Sequence, residues 1–525
     1  MSRMNTRNAK PRNTATAPVK TADELALTHE GGQGWRRTPK GALFLAAVTS
    51  LNEDLFYESA NERLKRIQGL VARDEVVGDP AWTQGLVTWL RHDVGLRSIP
   101  AIVAITAVKA RLDAGLSGGN RQIIASAIGR LDESSDVLAG WMVLYGRRIP
   151  SCVRRGVADA LRRHLNERSY LKWSGRMSNG AVSLRDVINL THPRTSSYRQ
   201  ARLVKYALDH AYRGVGDDTC LNTIRARRGF LAMNREEQIT ALTGPGGADL
   251  VRDAALTHEV VAGALGKIPA EAWAVLVPTM GYTALRMNLR RIAESDPDQE
   301  LLDAISRRIG DVEEARRSRT MPVAFYSAYR NAPLEFAGPL QRAANASLEE
   351  VPAFKGRTLV LLDRSGSMCA PLSERSSLTR QDAANMFAAA IALRGEDVRV
   401  VAFDSEFHDV RTNGRDLLRV VDQMPESRGM TDTVGAVEYA HQNGEVYDRI
   451  IVLTDEQYHW YGKSVDQALD EYATGVPVFT WNLAGCAVAQ GESGENRWIF
   501  GGLSDKGFKM IPLLERGFDQ SWPWE

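Results

Sequence analysis

The hydrophobic period of the chain changes once, after Val351-Pro352-Ala353-Phe354-Lys355-Gly356, and that change calls for two different architectures. Before it, from about Ala22 to Asn345, apolar residues recur at i, i+3/i+4 and i+7 in short segments punctuated by Pro, Gly or Ser/Asp. Ser98 to Leu112, with Pro100 near its start, and Gly281 to Ile292, striped by Leu285, Leu289 and Ile292, are examples. Many short helices with brief connections predict a helical-repeat solenoid, without a fixed repeat length. After the change, apolar branched runs at Thr358–Leu362, Val398–Phe403, Arg449–Leu453 and Val476–Asn482 read as buried parallel strands. Helical segments at Gln381–Leu393 and Thr433–Ala440 lie between them. That alternation predicts a Rossmann-like α/β domain whose site lies at the carboxyl edge of the sheet. The expected organisation is a disordered basic arm over 1–21, helical repeats over 22–350 and an α/β domain over 356–525.

Charge follows the same division. Residues 1–355 carry 50 Lys and Arg against 38 Asp and Glu, whereas 356–525 carry 16 against 26. One stretch, Arg147 to Arg228, holds 18 basic and 6 acidic residues and accounts for the whole surplus. Such a concentration is the footprint of a polyanion site, nucleic acid first, because each phosphate neutralised releases condensed counterions. The helix opening at Pro150-Ser151 sets Arg154, Arg155, Arg162 and Arg163 on one half of its wheel, opposite Val153, Val157, Leu161 and Leu165. Further on, Lys172, Arg176, Arg185, His192 and Arg194 interleave with aromatic residues, a pattern suited to unpaired RNA. Trp173 is expected to be exposed and Tyr206 to belong to the core.

No run approaches the roughly 18 apolar residues of a membrane span. Four cysteines without a CxxC pair point to a reducing cytoplasm rather than a disulfide or zinc framework. Gly462-Lys463-Ser464 lacks the upstream glycine of a phosphate-binding loop, since Gln457 stands there. Asp363 lacks the second aspartate of a phosphatase nucleophile, since Ser365 stands there, and no HExxH occurs. A non-enzyme is the expectation. A metal nuclease would require more clustered carboxylates than the chain offers.

The strand ending in Asp363-Arg364-Ser365-Gly366-Ser367 is followed by Thr431-Asp432 and Asp455 in later edge loops, a hard-oxygen set suited to Mg²⁺. Asp363, Ser365, Ser367, Thr431 and Asp455 resemble, in order, the metal-ion-dependent adhesion site of von Willebrand factor type A domains. That resemblance implies a divalent cation whose shell a partner's carboxylate completes. Arg364 sits where an aliphatic residue is common, and its charge is expected to oppose the metal.

Leu184-Arg185-Asp186-Val187-Ile188 and Leu190-Thr191-His192-Pro193-Arg194 resemble the TROVE motif of the Ro autoantigen family, with Pro193-Arg194 in place of a spacer, Lys and Pro. Arg91–Val103 and Gly281–Arg291 are similar to other segments of it, and the order of the two modules agrees. The resemblance, to bacterial-type Ro proteins, implies a monomeric ring of HEAT-like repeats closed by the von Willebrand domain. It implies binding of small Y-like noncoding RNA through His192 and its basic surroundings, and entry of single-stranded 3′ ends of misfolded RNA. It also implies presentation of RNA to an exoribonuclease such as polynucleotide phosphorylase. The alternative reading is a metal-dependent protein-adhesion scaffold without an RNA role.

Overall fold

The computed structural model describes residues 22–27, 33–49, 60–178, 182–372, 378–412, 414, 416–425, 429–455, 463–483, 496–501, 507–516 and 522–525. The arm expected over 1–21 lies outside the described residues. Two compact units result, one of Val71–Glu314 with Asn331–Pro339, the other of Met1–Leu70, Ala315–Arg330 and Leu340–Glu525.

The first unit is helical. Its principal packings join helices close together in sequence: Pro80–His92 on Ser98–Asp113, Asn120–Ser126 on Ser151–His164, and Leu184–Thr191 on both Ser151–His164 and Tyr198–Arg213. Local pairing of this kind is what a repeat stack requires, because each helix buries its apolar stripe on its neighbours. The expected helices at 98–112 and 281–292 are present as Ser98–Asp113 and Tyr282–Ala293. Gly156 brings two helices together: a Cβ there would lie 2.7 Å from the Arg121 carbonyl oxygen and from Ile124 Cβ. Buried arginines close helix ends in this unit. Arg227 donates to the Ala254 carbonyl at 3.0 Å, and Arg111 to Asn120 Oδ1 at 2.7 Å and the Gly118 carbonyl at 2.6 Å. Burial lowers the pKa of both, yet carbonyl partners keep the charge solvated.

The second unit is built on a six-stranded sheet. Its strands are β3 (Phe354–Asp363), β4 (Gly395–Phe403), β5 (Phe407–Val410), β6 (Arg449–Thr454), β7 (Val478–Asn482) and β8 (Arg497–Gly501). They lie in the order β5-β4-β3-β6-β7-β8, all parallel except β4 with β5. The chain builds outward from β3 through β4 and β5, then returns to the other side of β3 with β6. The carboxyl ends of β3 and β6 therefore flank the topological switch point, where ligands bind in open α/β sheets. One face of the sheet buries Leu359, Leu361, Val401, Ile450 and Val452 against Val437 and Leu469 from the helices Thr433–His441 and Val465–Tyr472.

Two expectations need correction. Residues 22–37 are not helical: β1 (Ala22–Leu27) and β2 (Gln33–Arg37) form an antiparallel pair. Segments of five or six residues are too short for a helical period to declare itself. The sheet's unit also reaches beyond 356–525. The helix Pro39–Thr49 packs on β8 and on the helix Gly507–Arg516, and buried Phe44 lies 5.8 Å from Trp522 and 6.2 Å from Trp524, centroid to centroid. Its sequence, Pro-Lys-Gly-Ala-Leu-Phe-Leu-Ala-Ala-Val-Thr, has almost no polar face, so it must be enclosed. No helix among the described residues is long and apolar enough to cross a membrane.

Candidate functional site

Each unit carries one candidate site. In the helical unit, Val153, Val157, Ala160 and Leu161 bury one side of the helix Ser151–His164, and Arg154, Arg155, Arg162 and Arg163 are exposed on the other. The next helices are tied to it. Gln200 Nε2 donates to the carbonyls of Arg162 and Leu165 at 2.9 Å, and Ser197 caps the helix Tyr198–Arg213 through the Gln200 amide. A capping box between Ser183 and Asp186 starts the helix Leu184–Thr191, which ends at His192 in a left-handed conformation, φ 44°. Arg185, Asn189 and His192 follow at i, i+4 and i+7 along that helix.

The basic stretch contains six acids, and all six are already paired. Asp159 meets Arg121, Glu167 meets Arg199 at 2.5 Å, and Asp186 meets Arg185 at 3.4 Å. Asp209 meets Lys205 at 2.9 Å, Asp217 meets Arg202, and Asp218 meets Arg228 at 2.9 Å. Five of those partners come from the stretch itself, so pairing leaves a set of cations without an anion. Among the described residues, the side chains of Arg154, Arg155, Arg162, His192 and Arg194 are exposed and engage in no ion pair. Arg163 is committed, donating to the Ala125 carbonyl at 2.6 Å. Arg227 is buried structure rather than surface. Arg176 lies on the helix Glu167–Ser178, but its side chain is outside the described residues.

Trp173 departs from its expected exposure. It is half-buried, with the Arg130 guanidinium 4.3 Å and the Lys172 ammonium 4.9 Å from ring centroids. Two cations on one indole gain more than a solvated ring does. Lys172 is thus exposed but engaged. Tyr206 is core as expected, edge-on to Tyr170 at 5.8 Å.

The second site lies at the switch point. Asp363 ends β3 and is fully buried. Its Oδ1 accepts the Ser365 amide at 2.8 Å and its Oδ2 accepts the Thr454 hydroxyl at 2.6 Å, fixing the carboxyl between β3 and β6. Ser365 and Ser367 hydroxyls stand 3.1 Å apart. The Gly366 amide donates to the Gly429 carbonyl at 3.1 Å, which draws the loop bearing buried Thr431 onto this turn. Asp432 is used elsewhere, capping the helix Thr433–His441 through the Gly435 amide at 2.8 Å. Asp455, also fully buried, is close enough to Asp363 to raise its pKa further. Burial is the main cause: the Asp363 carboxyl is pushed up to about 7 despite three hydrogen bonds that favour its ionised form.

All five expected residues therefore belong to adjoining loops at one edge. Among the described residues no three His, Cys, Asp or Glu side chains gather into a metal cluster, so a cation here depends on the hydroxyls. The donor chemistry fits a hard divalent ion: two buried carboxylates whose repulsion a cation offsets, with hydroxyl oxygens beside them. Arg364, expected to oppose the metal, is instead turned to Asp404, with Nε 3.2 Å from Oδ2. Sequence reading missed Arg380, whose guanidinium donates to Asp455 Oδ2 at 2.9 Å. A signal existed. Arg380 opens a helix, where the backbone dipole disfavours a cation unless a nearby anion compensates.

Comparison with known proteins agrees with this reading of the fold. Residues 357–493 match the family described as the Ro60 vWA domain. No curated protein matches the chain. Among solved structures, the crystal structure of the Deinococcus radiodurans RO (RSR) protein is similar over 91% of this chain and 99% of that one, with a TM-score of 0.71 and 20% identity. The α/β unit is thus similar to the Ro60 vWA domain over residues 357–493, and the chain shares the fold of the Deinococcus Ro protein.

Proposed function

We propose that the protein binds RNA on its helical unit without cleaving it: small Y-like noncoding RNA and the single-stranded 3′ ends of structured or misfolded RNA. The observation that carries this reading is the set of exposed arginines at Arg154, Arg155, Arg162 and Arg194, with exposed His192 beside them, left over after every acid of the stretch has been paired. Unmatched positive charge on neighbouring short helices gains free energy from a phosphate backbone by counterion release. The Ro fold of the chain is consistent with such a role. Work in RNA quality control in the cytoplasm, with an exoribonuclease receiving the bound RNA, completes the proposal.

Within it, the α/β unit takes a divalent cation, Mg²⁺ by donor type, on Ser365, Ser367, Thr431, Asp363 and Asp455. The ion supplies a Lewis-acidic position for a partner's carboxylate, and these residues hold and orient it. The test is the salt dependence of RNA affinity. Four arginine–phosphate contacts predict a slope of log K on log salt of about −2.8 for single strands. A second reading, a metal-dependent protein scaffold, draws on the buried carboxylates alone and predicts no salt-dependent RNA affinity. RNA recovered intact after incubation with Mg²⁺ separates either reading from a nuclease.

A further inference from the structure

One aromatic ring on the basic face stands in water and nevertheless makes directed polar contacts. Tyr212, in the last turn of the helix Tyr198–Arg213, is 62% exposed. Its hydroxyl accepts a hydrogen bond from Asn189 Nδ2 at 2.7 Å, and the Arg185 guanidinium lies 5.3 Å from its ring centroid. Arg185 is itself steadied by Asp186. The ring is therefore oriented by polar contacts at its tip and by a cation, not by packing in a core. An exposed tyrosine of no consequence would be free to change rotamer. Its contacts with Asn189 and Arg185 favour one rotamer, so a planar partner gains stacking at a reduced ordering cost.

The surroundings select the partner. Arg185 and Asn189 share their helix stripe with His192, which is exposed and uncommitted among the described residues, and Arg194 follows two residues on. Arg213 adjoins Tyr212 in sequence. A planar π surface with the Arg185 guanidinium and the Asn189 amide beside it, on a face that also carries exposed Arg194, suits an unpaired nucleobase, whose face stacks on the ring while its phosphate meets the arginines. An apolar protein side chain would leave the arginine charge unmatched.

We propose that Tyr212, backed by Arg185 and Asn189, is a stacking platform for one unpaired base of bound RNA. This rests on the RNA-binding reading above and deepens it, since the cations alone would hold duplex and single strand alike. Base stacking on an aromatic ring predicts that Tyr212→Ala lowers affinity for a single strand by roughly 10- to 100-fold. Tyr212→Phe, which keeps the ring and loses only the bond to Asn189, retains most of it. The experiment titrates the full chain into single-stranded RNA bearing 2-aminopurine at successive positions, following fluorescence and the salt slope. The platform stands if wild type alters the fluorescence at a defined position, Tyr212→Ala abolishes that change, and the salt slope is the same for both. It falls if Tyr212→Ala binds as tightly as wild type with the same fluorescence change; RNA binding as such would then survive. If the wild-type protein does not bind the RNA, the RNA-binding reading falls and the platform with it.

Discussion

Neutralising Arg154 and Arg162 together gives the basic face its sharpest quantitative trial. Both side chains are exposed on the outer half of one helix and form no ion pair among the described residues, so neither has a structural task. Arg154→Gln with Arg162→Gln leaves Val153, Val157 and Leu161 buried as before, and stability stays within about 0.5 kcal/mol of wild type. If each arginine contacts one phosphate of a single strand, each contributes about 0.7 to the slope of log K against log salt. Losing two reduces the slope by about 1.4. Extrapolated from 1 M salt, that is about 25-fold in affinity at about 0.1 M and almost nothing at 1 M. Fluorescence anisotropy with a labelled single-stranded RNA, repeated across salt concentrations, reads both numbers, and thermal unfolding checks the fold. A double variant that keeps the wild-type slope, while remaining folded, would refute the placement of the phosphate track on this helix.

Other expectations concern the switch-point site and the packing behind the basic face. Arg380→Gln removes the guanidinium from buried Asp455 and costs on the order of 3 kcal/mol in chelated protein. Mg²⁺ should then raise the melting temperature of the variant more than that of wild type, and equal responses would count against a shared cation position. Because the folded Asp363 carboxyl sits at about 7, above its unfolded value, the folded state holds the extra proton between roughly pH 4 and 7. Its contribution to stability is therefore lost as pH rises through that window in metal-free protein. Asp363→Asn should remove this dependence, visible as a difference between the two melting profiles that grows toward neutral pH; a flat difference contradicts it. Gly156→Ala places a methyl 2.7 Å from a backbone oxygen and from Ile124 Cβ and should cost about 1 to 3 kcal/mol by urea unfolding, with the salt slope of RNA binding unchanged.

What the sequence disclosed was what repeats over several residues or pairs locally. The four parallel strands expected from branched runs are present as β3, β4, β6 and β7, each burying several branched or aromatic side chains. The half-wheel of arginines over 151–164 is likewise where its period put it. Short edge strands escaped: Phe407–Val410 is half-exposed, carries His408 and Asp409, and acquires its conformation from pairing with β4. Charge counting also could not distinguish Arg227, buried on a carbonyl, or Arg199, paired to Glu167, from Arg154, which is free for a ligand. Those distinctions depend on which helix lies alongside, and no one-dimensional count contains that. Tyr212 was passed over for the same reason: its meaning comes from Arg185 and Asn189 on the preceding helix.

The most direct measurement is ultraviolet crosslinking of RNA to the full chain with the attached peptides identified by mass spectrometry. The account predicts adducts on the segments 151–164 and 184–213, including Tyr212, suppressed by high salt. Adducts confined to the acidic α/β unit, or none at all, would contradict it.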